Sequence, residues 1–182
     1  HEGSISWAVF APDGKRVLTA SSDYTTRVWD AVSGRELLVL RGHDDWVRSA
    51  VFAPDGARVL TASDDRSARI WDGLSGQELV VLRGHENWIR SAEFAPDGAR
   101  VLTASNDCTA RIWDAASGQE LLVLRGHTDW LCSAVFTSDG AGVLTASGDG
   151  TARMWDAVTG HELQVLRGHE GWIHAAVVFR TC

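Results

Sequence analysis

Serine, histidine and aspartate recur together four times along these 182 residues. That trio is the chemistry of acyl transfer: a nucleophile, a base, and a group that orients the base. The sets are His1, Ser21, Asp23; His43, Ser63, Asp65; His85, Ser105, Asp107; and His127, Ser147, Asp149. A hydrolase needs one such set in one cleft, with an oxyanion site and a strained nucleophile turn beside it, and neither accessory is legible here. Each set is also followed by a tryptophan (Trp29, Trp71, Trp113 and Trp155) whose indole N–H requires an acceptor once buried. A hydrogen-bonded chain from Trp to Ser to His to Asp satisfies all of these groups and pins two strands to a loop. The expectation is a structural tetrad and no catalysis.

Metal and cofactor chemistry are not expected either. The repeated histidines come one per unit and do not converge on one ion. Cys108, Cys132 and Cys182 share no metal-type spacing, and their odd number argues against a disulfide framework and for a reducing cytoplasm. A formal net charge of -7 offers no basic footprint for a phosphate backbone, so no nucleic acid is expected. No apolar run approaches a membrane span.

What positions the sets is a period. Trp29, Trp71, Trp113 and Trp155 stand 42 residues apart, each followed by Asp, and His1, His43, His85, His127 and His169 keep the same step. Segments 43–84 and 85–126 agree at 32 of 42 positions, so internal repetition decides the architecture. Within the second unit WVRSAVFA, ARVLTAS, SARIWD and ELVVL are short runs of β-formers, broken by Pro54-Asp55-Gly56, Ser63-Asp64-Asp65 and Ser75-Gly76. Several runs are apolar on both faces, which fits four-stranded sheets packed face to face.

The Gly-His pairs, the Ser-x-Asp turns and the Trp-Asp pairs, four complete sets in register, resemble the Trp-Asp (WD) repeat β-propeller family over residues 1–179. The resemblance implies an all-β chain of four-stranded antiparallel blades, at about 3–41, 45–83, 87–125 and 129–167, within one half-ring domain spanning 1–182. It implies a structural role for the tetrads. It also implies that three positions of each unit lie on the top face, where partners dock. Those positions hold Ser4, Trp46, Trp88, Trp130 and Trp172; Ser6, Arg48, Arg90, Cys132 and His174; and Ser22, Asp64, Asn106 and Gly148. Trp and Arg are the residues most enriched in binding hot spots. The expected binding set is therefore Trp46, Arg48, Asp64, Trp88, Arg90, Asn106, Trp130 and Trp172, gripping a peptide or protein segment.

The remaining charges read as structural. Arg27, Arg69, Arg111 and Arg153 are expected to pair with nearby carboxylates such as the Asp of the Trp-Asp step, His161 to be a solvated turn residue, and Glu93 to replace valine on an inner strand.

Propellers of this family close with about seven or eight blades, so four cover about half a turn and expose two apolar sheet faces. Residues 169–179 restart an inner strand. The expectation is a head-to-tail, two-fold homodimer of eight blades. In it this strand would compete with or replace the partner's first inner strand, about residues 4–11, and His169 would then join Ser21, Asp23 and Trp29. The alternative to an interaction scaffold is a fragment, or an engineered or recently amplified array, whose main property is self-assembly into a ring.

Overall fold

Three turns per repeat convert the period into sheets. The computed structural model describes residues 1–173 and 175. The first turn of each unit closes on a left-handed glycine (Gly14, Gly56, Gly98 and Gly140, φ 67–70°), a conformation that a side chain would strain. The flanking runs, rich in Val, Ile, Leu and Thr, extend on either side of it.

The first blade is β1 (Ile5–Phe10), β2 (Arg16–Ser21), β3 (Thr25–Asp30) and β4 (Glu36–Arg41); the second is β5 (Val47–Phe52), β6 (Arg58–Ser63), β7 (Ser67–Asp72) and β8 (Glu78–Arg83). The third is β9 (Ile89–Phe94), β10 (Arg100–Ser105), β11 (Thr109–Asp114) and β12 (Glu120–Arg125). The fourth is β13 (Leu131–Phe136), β14 (Gly142–Ser147), β15 (Ala152–Asp156) and β16 (Glu162–Leu166). Each blade is an antiparallel meander with its strands hydrogen-bonded in chain order. These are the four four-stranded sheets that the period called for.

Blades pack in series through unlike faces. Leu60, Ala62, Ile70 and Leu82 of the second blade meet Ile89, Phe94, Val101 and Trp113 of the third in one buried cluster. The same positions join the first blade to the second and the third to the fourth. Arginine staples bridge these joints on the side away from the tetrads. Arg16, Arg58 and Arg100 lie 4.9, 5.1 and 5.3 Å from the ring centroids of Phe52, Phe94 and Phe136 in the next blade. They also donate to the carbonyls of Gly56, Gly98 and Gly140 at 2.7–2.8 Å. The fourth blade carries Gly142 at that position.

Among the described residues two faces are bare. Ile5 and Phe10 of the first blade are 58% and 65% exposed, whereas their equivalents in the other blades are buried. On the opposite face of the fourth blade Leu166 is 40% exposed, against 1–2% for Leu40, Leu82 and Leu124.

The fifth inner strand expected at 169–179 lies largely outside the described residues. In its described part the Ile173 N–H donates to the Ser147 carbonyl at 3.3 Å, and Trp172 meets Trp130 edge-on. His169 is not needed to complete the first tetrad, because His1 occupies that place, 2.9 Å from Asp23.

Candidate functional site

The relay within each blade runs through threonine and not through the expected serine. In the second blade the Trp71 indole N–H donates to Thr61 Oγ1 at 2.9 Å, His43 Nε2 lies 2.7 Å from the same oxygen, and His43 Nδ1 lies 2.7 Å from Asp65 Oδ2. Since Trp has only a proton to give and the carboxylate only lone pairs, the pattern assigns one direction. Trp71 donates to Thr61, His43 donates from Nδ1 to Asp65, and the Thr61 hydroxyl meets Nε2 between them. Thr19, Thr103 and Thr145 hold the same place in the other blades. Ser63 instead donates to the Asp45 carbonyl and accepts the Asp65 N–H, which ties the turn together; Ser105 and Ser147 do likewise. The correction follows from register. Trp71 pairs with Val59, so Thr61 is its diagonal neighbour on the same face and Ser63 lies one step too far.

Burial acts on the relay histidines of the third and fourth blades. It pushes the His85 and His127 pKa values down against the pull of Asp107 and Asp149. Burial alone would raise Asp65 and Asp107, but the histidine donors and the hydroxyls of Ser67 and Thr109 prevail. They hold both carboxyls well below the usual carboxylate range. Both ring nitrogens of each histidine are engaged and the threonine hydroxyl is buried, so the relay offers a substrate neither nucleophile nor base. The glycines before His43, His85 and His127 have a spatial reason. A Cβ on Gly42 would lie 2.8 Å from Arg69 Nη1 and 3.0 Å from the Trp71 ring.

The strand arginines pair with nearby carboxylates as expected, though not with the Asp of the Trp-Asp step. Arg27, Arg69, Arg111 and Arg153 donate to Glu36, Glu78, Glu120 and Glu162 on the outermost strand of their own blade. The Asp of the Trp-Asp step is already used: Asp72 Oδ1 accepts from the N–H groups of Leu74 and Ser75 and the Ser75 hydroxyl. Glu93 bridges inner strands, its carboxylate accepting from the Phe136 N–H, and it lines a cavity of about 300 Å³ with Val9, Val51 and Phe94. His161 is exposed in its turn.

The expected top-face residues come together. The N–H groups of Asp64, Asn106 and Gly148 donate to the carbonyls of Trp46, Trp88 and Trp130 at 2.9 Å, fastening each tryptophan loop to the neighbouring turn. The side chains form an alternating stack across blades. Arg48 lies 4.7 Å from the Trp46 ring and 5.8 Å from Trp88; Arg90 lies 5.4 Å from Trp88 and 5.5 Å from Trp130. Trp130 meets Trp172 edge-on at 5.5 Å. Arg48 is bound by Asp64 through Nε and Nη2. Asp45, Trp46, Arg48, Asp64 and Trp88 enclose a pocket of about 200 Å³. Trp46, Trp88 and Trp172 are exposed, and Trp130 is half-buried. Gly148 leaves room that Trp130 fills, since a Cβ there would stand 2.8 Å from the indole nitrogen.

Two sets of functional residues escaped sequence reasoning. The relay threonines recur at the same 42-residue step as the serines, so period alone could not rank them. The staple arginines bind backbone carbonyls in the next unit, which comparison of side chains does not reveal. Their signal is the break at Gly142.

A family model described as "WD domain, G-beta repeat" matches residues 1–30, 34–72, 76–114 and 118–156. The chain is 43% identical over 47 residues to WD repeat-containing protein 86 of Homo sapiens, covering 26% of this chain and 12% of that protein. It is 46% identical over 46 residues to a WD repeat-containing protein of Nostoc sp., covering 25% of this chain and 4% of that protein. It is 45% identical over 40 residues to the serine-threonine kinase receptor-associated protein of Bos taurus, covering 22% of this chain and 11% of that protein. Each alignment is about one repeat long and spans a small part of the relative.

Proposed function

The chain belongs to the WD-repeat family, and from that premise we propose that it is a non-catalytic scaffold that binds a peptide or protein segment on its top face. The observation that carries this reading is the Trp–Arg stack. Large exposed rings held at fixed spacing by guanidinium groups offer contact area at little entropic cost. Asp64 and Asn106, which differ between otherwise similar blades, tune what the stack selects. A relative named for association with a serine-threonine kinase receptor fits a scaffold of this kind. The test is selection from a displayed random-peptide library with the whole chain as bait. Peptides held by the native protein and lost by the Trp46→Ala, Trp88→Ala, Trp130→Ala triple variant, with the β-sheet circular dichroism unchanged, support the reading. Selection that yields nothing, or peptides indifferent to the triple variant, overturns it.

A second reading concerns assembly. The two bare faces are the two halves of the joint that this chain makes three times internally, and Phe10 is exposed where Phe52, Phe94 and Phe136 are covered. Burying one such side chain is worth about 1.5–3 kcal/mol. We propose that a second copy supplies both missing halves, head to tail, to give an eight-bladed ring. Light scattering after size exclusion tests it: twice the 19.7 kDa chain mass supports the ring, and a single chain mass at high concentration removes it.

A further inference from the structure

Blades two and three present the same arginine on the same top face, yet the two arginines are balanced differently. Arg48 meets the buried carboxylate of Asp64, which occupies Nε and Nη2. Arg90 meets Asn106 instead, and its Nε donates to the amide oxygen at 2.8 Å. Among the described residues no carboxylate lies within ion-pair distance of Arg90, and the hydrogen bonds it makes engage neither Nη1 nor Nη2. The guanidinium is nonetheless half-buried, flanked by the rings of Trp88 and Trp130. It is a fixed cation with two free donors in a fork.

We propose that Arg90 is the anion-binding point of the top face and takes the carboxylate of an aspartate or glutamate side chain in the bound peptide. The inference rests on the top-face reading above and names the chemistry that this reading leaves open. A carboxylate matches the two free donors of a guanidinium fork in bidentate geometry. The flanking rings strip water from the cation and keep it in one place, so little ordering remains to be done on binding. Burial and the neighbouring charge of Arg48 both disfavour the lone cation, and their effect lowers the Arg90 pKa. An incoming carboxylate relieves that cost. Asp64, whose charge pulls on Arg90, is already spent on Arg48. The acids Asp44, Asp45 and Glu86 line a neighbouring groove with Arg66 and Arg83, and Arg90 takes no part in that groove. The fourth blade has Cys132 where the arginine stands, so the cationic stack ends at Arg90.

The chain contains its own control. Asn106→Asp gives Arg90 the internal partner that Arg48 already has, at nearly constant side-chain volume. The library selection is run on the native protein, Asn106→Asp and Arg90→Gln, with near-ultraviolet circular dichroism of the tryptophans checking the top face in each. The expected result is an Asp or Glu fixed at one position of the native protein's peptides. Those peptides then lose about tenfold or more in affinity for both variants. Peptides that bind the tryptophans without an acidic position overturn this inference and leave the scaffold reading standing. So does an acidic preference that Asn106→Asp retains. A bait that selects nothing overturns both.

Discussion

At the scale of single residues the structure turns on a hydroxyl that looks unremarkable in sequence. Thr103 is fully buried between the Trp113 indole and His85 Nε2, so Thr103→Val keeps the shape and strands a donor and an acceptor. The expected cost is about 2–4 kcal/mol, read from urea unfolding. Ser105→Ala, which spares the relay, should cost about 1 kcal/mol; equal losses would return serine to the relay. The same residues set the acid response. His85 and His127 are held below the ordinary imidazole value, so the unfolded chain takes up those protons first and stability falls as pH drops below about 6.5. Asp65, Asp107 and Asp149 are also held low, so a second loss begins below about pH 4, when the unfolded carboxylates protonate and the folded ones do not. A melting temperature that stays flat between pH 7 and 5 would contradict the first step. The histidine–aspartate pairing was legible from spacing. The threonine was not, because naming it requires the register of the second strand of a blade against the third.

At the scale of elements nearly everything regular was readable. Turn formers at fixed offsets and runs apolar on both faces placed the sixteen strands of the described residues, because local propensity and the demand for burial on two sides point the same way. What sequence hid were the contacts between blades that end on backbone atoms. Arg58 follows a turn glycine and an alanine and reads as a solvated strand end, yet it stacks on Phe94 and donates to the Gly98 carbonyl. Arg58→Met keeps much of the stem and removes both interactions. The expected loss is about 1–2 kcal/mol of unfolding free energy, with the strand circular dichroism intact. No measurable change would mean that the apolar cluster alone holds the joint.

At the scale of the molecule the repeat specifies a joint more clearly than it specifies a count of blades. The number of blades is a matter of counting Trp-Asp pairs, but ring closure depends on whether the two bare faces find one another, and no residue of a single repeat encodes that. The missing staple gives a way to ask. In a head-to-tail ring the fourth blade lies against the first, where Phe10 and the carbonyl of Gly14 stand as Phe52 and Gly56 do at the first internal joint. Gly142 offers them no arginine, and a Cβ there would press on Thr137 at 3.0 Å, where the other blades have alanine. In such a ring the seam between copies would be weaker than the joints within a copy, and the ring would open before its blades melt. The double variant Thr137→Ala, Gly142→Arg copies the internal joint onto the seam. Sedimentation across a concentration series should show association tightened about a hundredfold, roughly tenfold for the cation–π contact and hydrogen bond restored at each of the ring's two seams. An unchanged association constant, in a protein that still melts as the native one does, would mean that these faces do not meet.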